Sequence, residues 1–169
     1  MNNIKKITNI LKALIYKILK IHTMKNRNLT HSDDWATPKD LYNKLNIEFN
    51  FDFDPCPFQH NMEWDGLNID WKKNNFINPP YSKKLKDAFV KKAIEESKKG
   101  NVCIMLLPVS TSTKLFHDFI KPNAKEIRFL KGRVKFIGKN TIGEIVSNKC
   151  GMHDSMIVVF DERHINLYL

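Results

Sequence analysis

The chain has 169 residues, 42% hydrophobic and 27% charged, which is typical of a soluble domain rather than of a disordered or membrane-spanning chain. Its formal net charge of +10 favours a polyanionic partner, although charge alone does not choose among DNA, RNA and an acidic membrane. The three cysteines lack C-x-x-C spacing and the six histidines lack paired ligand spacing. These patterns predict no disulfide framework and no metal, and they favour a reducing cytoplasm.

A basic amphipathic helix is predicted over residues 4–21, where apolar residues follow a helical seam and lysines occupy the opposite face. Residues 1–30 contain seven Lys or Arg and no acid, so we treat them as an extension and residues 31–169 as the functional domain. The helix could touch a membrane surface or a protein partner. Alternatively, Met24 could be the true start of the protein.

The next helix is predicted to begin within Trp35-Ala36-Thr37-Pro38, with Thr37 as its N-cap and Pro38 as its first residue. Its apolar pattern continues to Ile47. Phenylalanines then alternate with polar residues over 49–53, which is the period of a strand, and Pro55 ends that strand.

The remaining elements alternate between strand and helix patterns. Strands are predicted at 76–77, 102–107, 126–130, 134–137, 156–160 and 165–169, helices at 82–99 and 112–120, and a long loop at 138–154. The continuous apolar run at 102–107 fits a parallel strand covered on both faces. The sequence therefore predicts an α/β fold with a mostly parallel sheet flanked by helices.

The turn Asn78-Pro79-Pro80-Tyr81 is the most informative segment, because two consecutive prolines cannot continue a central strand or a helix. The chain must leave the sheet abruptly, with a carboxamide on one side and an aromatic ring on the other. A rigid turn that presents an amide acceptor, carbonyls and a stacking ring suits a planar exocyclic amine. The turn therefore indicates chemistry on a nucleobase or on another amide-like NH2 group.

This turn and the segments around it resemble the phage-type DNA N-6-adenine methyltransferases, which use S-adenosylmethionine. The other segments that carry the resemblance are Trp35-Ala36-Thr37-Pro38, Asp54-Pro55-Cys56-Pro57 with Asn61, Asp65-Gly66-Leu67, Asp70-Trp71, Leu107-Pro108-Val109 with Thr111 and Thr113, Phe116-His117, Gly132-Arg133-Val134-Lys135-Phe136, and Ser155. The resemblance implies a compact Rossmann-like fold, with the enzyme acting in the cytoplasm of a bacterial or phage-infected cell.

The resemblance also implies roles for the turn. Asn78 would accept a hydrogen bond from the adenine N6 amine through its side-chain oxygen, aided by the carbonyl of Pro79, while Pro80 stiffens the corner. Tyr81 would stack on the base, which must be flipped out of a duplex to present its amine. The amine can lose its proton after methyl transfer, so no strong general base is required.

The cofactor is expected to lie near the start of the domain. Thr37 and Pro38 would lie by its methionine part and Asp54 would contact it at a strand end, although an Asp before a Pro is more often a turn former. The cofactor-binding candidates are Trp35, Thr37, Pro38, Asp54, Cys56 and Asp70. The assignment of Asp70 is open, since an Asp-Trp pair can also cap a helix, and the chain lacks the Gly-x-Gly turn of many larger methyltransferases.

Phosphate contacts are predicted for Lys83, Arg133, Lys135 and Lys139, which follow the turn or border the predicted loop. A lysine-rich helix face is, however, usually just a solvated surface. Two other functions remain open: methylation of RNA adenine or of a protein glutamine amide, and non-catalytic nucleic-acid binding by a degenerate methyltransferase fold. The intact four-residue signature argues against the degenerate form.

Overall fold

A computed structural model describes residues 35–59, 64–139 and 144–162 of the chain. The predicted N-terminal helix, Asn61 and the strand predicted at 165–169 lie outside these residues. The elements are β1 (Trp35–Ala36), α1 (Lys39–Phe49), β2 (Asn74–Ile77), α2 (Lys83–Lys98), β3 (Val102–Pro108), α3 (a π-helical segment, Leu115–Ile120, followed by the turn Lys121–Asn123), β4 (Glu126–Phe129), β5 (Lys135–Lys139), β6 (Ile145–Cys150) and β7 (Ser155–Phe160).

Two sheets form a mixed α/β fold. The larger sheet has the strand order β2-β3-β7-β4, and the smaller has the order β1-β5-β6. Strands β2 and β3 pair in parallel, whereas β7 is antiparallel to both β3 and β4, and all pairs in the smaller sheet are antiparallel. The prediction of a mostly parallel sheet is therefore wrong.

The reason is the position of β7. Strands β2, β3 and β4 run in the same direction, as the strand–helix alternation predicted, because helical crossovers α2 and α3 connect them. Strand β7 lies between β3 and β4 and runs in the opposite direction, so its pairs with β3 and with β4 are both antiparallel. Hydrophobic patterning locates this strand but carries no information on its direction.

The core lies on both faces of the larger sheet. Alternate residues of β3 point into two clusters, with Met105 in the first and Ile104 in the second. Helix α2 covers the first cluster through residues such as Val90, and α1 covers the second through Leu45. The whole of β3 is buried, which confirms the predicted strand with cover on both faces. Within the described ranges, no helix is long and apolar enough to cross a membrane.

The strand predicted over 49–53 is largely absent. Phe49 belongs to α1, and Asn50 ends that helix in the left-handed conformation, at φ 50°. The backbone N–H of Phe51 is taken by the side-chain oxygen of Asn46 at 2.8 Å rather than by a neighbouring strand. Within this segment only Phe53 forms a parallel bridge, with Asn75, so the segment pairs with the free edge of β2 at a single position.

The start of α1 and the segment 138–154 also differ from the prediction. Pro38, not Thr37, is the N-cap of α1, because its ψ of 137° keeps it extended while its carbonyl accepts the N–H of Tyr42. The predicted long loop contains β6, which pairs with β5. A register shift in that pairing breaks the two-residue period, which explains why the sequence pattern does not indicate a strand.

Candidate active site

Asn78 leaves β2 at its carboxyl end, and its side chain has one defined orientation. The Nδ2 group donates a hydrogen bond of 2.6 Å to the backbone carbonyl of Trp35. Trp35 is itself positioned by the pairing of β1 with β5, in which it lies opposite Gly138. Because the amide nitrogen faces Trp35, the side-chain oxygen of Asn78 faces away from it and can accept a hydrogen bond from a ligand.

Two neighbouring cavities share Asn78, Trp35 and Cys56 in their walls. The larger has a volume of about 360 Å³, which is within the range of small-molecule sites. Its walls include Trp64, Leu67 and Phe89, so it offers flat aromatic surfaces with few polar groups. Asn78 therefore lies at the junction of an apolar pocket and a second, smaller one.

The segment 64–71 follows the undescribed residues 60–63, and its first four residues form one wall of the larger cavity. Trp64 donates through Nε1 to the carbonyl of Pro55 at 2.9 Å, and Trp71 donates to the carbonyl of Gly66 at 2.7 Å. Gly66 packs so closely on Pro55 that a Cβ at this position would overlap the Pro55 carbonyl oxygen. Asp65-Gly66-Leu67 contributes to the family resemblance, but none of its residues was predicted as a site residue. A glycine between Trp64 and Trp71 is the sequence feature that could have indicated a close-packed wall here.

The smaller cavity, of about 160 Å³, brings together Trp35, Thr37, Asp54 and Cys56, which were predicted to bind the cofactor. Asp54 accepts the backbone N–H of Cys56 through Oδ1 at 2.7 Å. The Thr37 hydroxyl is buried and has no hydrogen-bond partner within the described part of the chain. An unsatisfied buried hydroxyl is costly, so this group marks a position where a ligand acceptor or donor would fit.

The ionisation of the groups in this cavity follows from burial. Burial raises the pKa of the Cys56 thiol well above its ordinary value, and the nearby Asp54 carboxylate raises it further. Burial, followed by Asp54, also raises the pKa of Tyr42. Cys56 therefore stays a neutral thiol at neutral pH, which does not suit a nucleophile.

The other predicted residues are less closely grouped. Pro80 lines the larger cavity and Pro79 is buried. Tyr81 lines neither cavity, because its ring packs edge-on against Phe136, with the ring centroids 5.9 Å apart. The Tyr81 hydroxyl is buried with no hydrogen-bond partner in the described residues, and this burial raises the pKa of Tyr81. Pro38 and the exposed Asp70 also lie outside both cavity walls.

The four cationic candidates are all exposed. Lys83 forms an i,i+4 ion pair with Asp87 at 3.0 Å, and Arg133 lies 3.6 Å from Asp154. Lys135 and Lys139 lie at the two ends of β5. Among the described residues, no group of three or more His, Cys, Asp or Glu is arranged to hold a metal ion.

Comparison with known proteins identifies the family. The family model described as DNA N-6-adenine-methyltransferase (Dam) matches residues 23–167. The chain belongs to this family. It is 35% identical over 154 residues to the DNA N-6-adenine-methyltransferase of Haemophilus phage HP1 (strain HP1c1), covering 83% of this chain and 86% of the relative.

A second member of the family covers less of both chains. The DNA N-6-adenine-methyltransferase of Escherichia phage T1 is 34% identical over 110 residues, which are 59% of this chain and 45% of the relative. No solved structure matches the chain significantly. The family predicted from the sequence is thus confirmed.

Proposed function

We propose that this chain transfers the methyl group of S-adenosylmethionine to N6 of adenine in DNA. Family membership supports the reaction and the substrate. The observation that carries the proposal is the orientation of Asn78, whose amide nitrogen is held by Trp35 at the junction of two cavities. The codirectional strands β2, β3 and β4 with their crossover helices support a Rossmann-like core.

The two cavities fit S-adenosylmethionine, which supplies an activated methyl group when bound. Trp64, Leu67 and Phe89 in the larger cavity suit an adenine ring. Thr37 and Asp54 in the smaller cavity offer a hydroxyl and a carboxylate for the carboxylate and ammonium groups of the methionine part. The unsatisfied hydroxyl of Thr37 is the observation that favours this arrangement.

The catalytic work of the protein is positioning. The side-chain oxygen of Asn78 and the carbonyl of Pro79 would accept hydrogen bonds from the target amine and direct its lone pair toward the methyl donor. Loss of the amine proton can follow methylation, so the neutral Cys56 and the buried Tyr81 are not needed as bases. A target adenine in duplex DNA must be flipped to reach Asn78.

Tyr81 needs to move to take the stacking role that the family resemblance implies. Its ring packs against Phe136 and its hydroxyl is buried without a partner in the described residues. A side-chain rotation toward the cavities would free the hydroxyl from this costly position and expose the ring face to a base. We therefore propose that the Tyr81 side chain changes its rotamer when the substrate binds.

A labelled methyl-transfer assay tests this function with three acceptors: duplex DNA, RNA, and a peptide containing glutamine. The proposal expects transfer to DNA above the other two acceptors. Transfer to RNA or to the peptide alone would replace the proposed substrate. Absence of both cofactor binding and transfer would refute the enzymatic function.

A further inference from the structure

Within the smaller sheet, strands β5 and β6 form an antiparallel ribbon, and the two-residue β1 pairs with β5 only at Ile137 and Gly138. The two faces of this ribbon differ in chemistry. Along β5, residues alternate between exposed and buried positions: Lys135 and Lys139 are exposed, whereas Phe136 and Gly138 are buried. This alternation is expected for a strand with one face on the protein and one face toward solvent. We call the side that carries Lys135, Ile137 and Lys139 the outer face.

The inner face of the ribbon contacts the candidate active site. Phe136 packs against the ring of Tyr81, and Gly138 lies opposite Trp35, whose carbonyl holds Asn78. The same strand therefore supports the catalytic turn with one set of residues and presents the other set outward.

The outer face combines positive charge with exposed apolar side chains. Lys139 lies directly across from Ile145 of β6, and Lys135 lies across from Cys150, so these pairs share one face. Ile145 is 67% exposed. An acidic residue, Glu144, precedes β6 and is also exposed. An exposed isoleucine beside a lysine is favourable against a partner that carries negative charge on its outside and apolar groups further in.

Duplex DNA has these properties. The major groove admits a two-stranded β-ribbon, phosphates border it, and thymine methyl groups offer apolar contacts inside it. We infer that the outer face of the β5–β6 ribbon docks in a groove of the target duplex, with Lys135 and Lys139 on phosphates and Ile145 on base edges. This inference rests on the proposed function, because it assumes that DNA is the substrate.

The exposed thiol of Cys150 provides a direct probe of docking. Cys150 is exposed on the outer face, whereas Cys103 is buried and Cys56 is half-buried. Alkylation of the full chain by N-ethylmaleimide, read by peptide mass spectrometry, should therefore modify Cys150 first. We expect a saturating mixed-sequence duplex oligonucleotide to slow modification of Cys150 several-fold, with Cys56 and Cys103 as internal references. An unchanged rate for Cys150 in DNA-bound protein would overturn the inference.

Salt-dependent binding of the same duplex tests the two lysines. Replacing Lys135→Gln and Lys139→Gln together should lower the slope of log affinity against log salt by about 2, roughly one for each phosphate that the variant no longer neutralises. The matched control is Lys98→Gln with Lys121→Gln, which removes two exposed lysines that precede the N-terminal ends of β3 and β4, whereas Asn78 follows the carboxyl end of β2. Equal slopes for the two double variants would contradict the proposed phosphate binding.

A separate experiment tests the proposed contact of Ile145 with base edges. Plasmid DNA methylated by the enzyme would be sequenced to compare methylation at the target with methylation at sites that differ by one base pair. Ile145→Ser should lower this ratio about tenfold, whereas Ile47→Ser, at a residue that is 88% exposed on α1, should leave it unchanged. An unchanged ratio for Ile145→Ser would remove Ile145 from recognition. Failure of the wild-type protein to methylate DNA would instead refute the proposed function.

Discussion

Asn78 is the residue on which the catalytic proposal depends. Its amide is fixed by one short hydrogen bond to Trp35, a residue 43 positions earlier in the chain, and that bond decides which atom faces the ligand. Had the amide been turned over, Asn78 would present a donor to an amine that is itself a donor. In the proposed mechanism, the backbone of β1 would contribute to catalysis by orienting the Asn78 side chain.

Replacement of the Asn78 side chain should abolish the positioning of the target amine while leaving the fold intact. We expect Asn78→Ala to reduce methyl transfer by about 10²–10³-fold, the usual effect of removing one oriented hydrogen-bonding group at a reacting centre. Calorimetric titration with S-adenosylmethionine should show largely retained binding. Asn43→Ala, on the exposed face of α1, is the control. Near-normal turnover in Asn78→Ala would remove Asn78 from its assigned role.

Thr37 offers a test that separates stability from binding. Because its buried hydroxyl has no partner in the described residues, the isosteric change Thr37→Val should raise the free energy of unfolding of the ligand-free protein by about 1 kcal/mol. The same change should weaken S-adenosylmethionine binding about tenfold, by removing a hydrogen bond to a charged group. Urea unfolding and calorimetry measure the two effects.

The exposed Thr111→Val is the matched control for Thr37 and should change neither quantity. Unaltered affinity in Thr37→Val would show that its hydroxyl does not contact the cofactor.

Much of the candidate site could be predicted from residue identity, but its geometry could not. The four-residue turn and the cluster of Trp35, Thr37, Asp54 and Cys56 were identified from motifs. The packing of Tyr81 on Phe136 depends on a contact across 55 positions of the chain, which no local pattern encodes. Thr37 was assigned as an N-cap because the motif suits one; Pro38 takes that position and leaves the Thr37 hydroxyl in a cavity.

At the scale of elements, α2 is attached at its C-terminal end by a buried carboxylate. Glu96 is 1% exposed, forms ion pairs with Lys92 and Lys99 at 2.8 Å each, and accepts a hydrogen bond from Asn101. Burial alone would raise the pKa of Glu96, but the hydrogen bonds from these three residues outweigh it and hold the pKa below the ordinary value of 4.5. The cluster fixes the turn between α2 and β3.

This carboxylate should make stability depend on pH in a defined direction. Because the pKa of Glu96 is lower in the folded state, its contribution is complete above pH 4.5 and is lost as the pH falls through the folded-state pKa. We expect Glu96→Gln to lower the free energy of unfolding by about 2 kcal/mol at neutral pH, with the difference from wild type shrinking in acid. Urea unfolding across this pH range measures it.

Glu126→Gln is the matched control for Glu96, since its half-exposed ion pair with Arg128 should contribute about 0.5 kcal/mol or less. A difference between Glu96→Gln and wild type that stays constant into acid would contradict the assigned pKa direction.

Gly66, in the wall of the larger cavity, allows a test of where the cofactor binds. Gly66→Ala would force a Cβ against the Pro55 carbonyl, which should destabilise the fold by about 1–3 kcal/mol and displace the wall of the larger cavity. S-adenosylmethionine binding should be lost or strongly weakened in titration calorimetry. Gly100→Ala, at φ 87° with open space around it, should cost about 1 kcal/mol but leave binding unchanged. Wild-type affinity in Gly66→Ala would show that the cofactor does not use this wall.

Element types were predicted better than their arrangement. Strands and helices from β2 to β4 follow simple periodicity, and Gly100 ends α2 as expected, with a positive φ. The direction of β7 and the existence of β6 were not predictable, because strand direction depends on tertiary pairing and the register shift in β6 removes its alternation.

At the scale of the whole molecule, charge and architecture agree on a nucleic-acid substrate. The net charge is +10, and exposed cations occur at the start of α2, directly after the turn 78–81, and on β5. Such charge supplies affinity for phosphate without sequence reading, so catalysis and recognition need separate groups. We propose Asn78 and its two cavities for catalysis and the β5–β6 ribbon for recognition.

The identity of the methylated product tests the proposed reaction most directly. Unmethylated plasmid DNA would be incubated with the protein and S-adenosylmethionine, digested to nucleosides and analysed by mass spectrometry. We expect N6-methyldeoxyadenosine as the product, present with the wild-type protein and strongly reduced with Asn78→Ala. A methylated cytosine in its place, or no methylated nucleoside from DNA while RNA or protein is methylated, would contradict it.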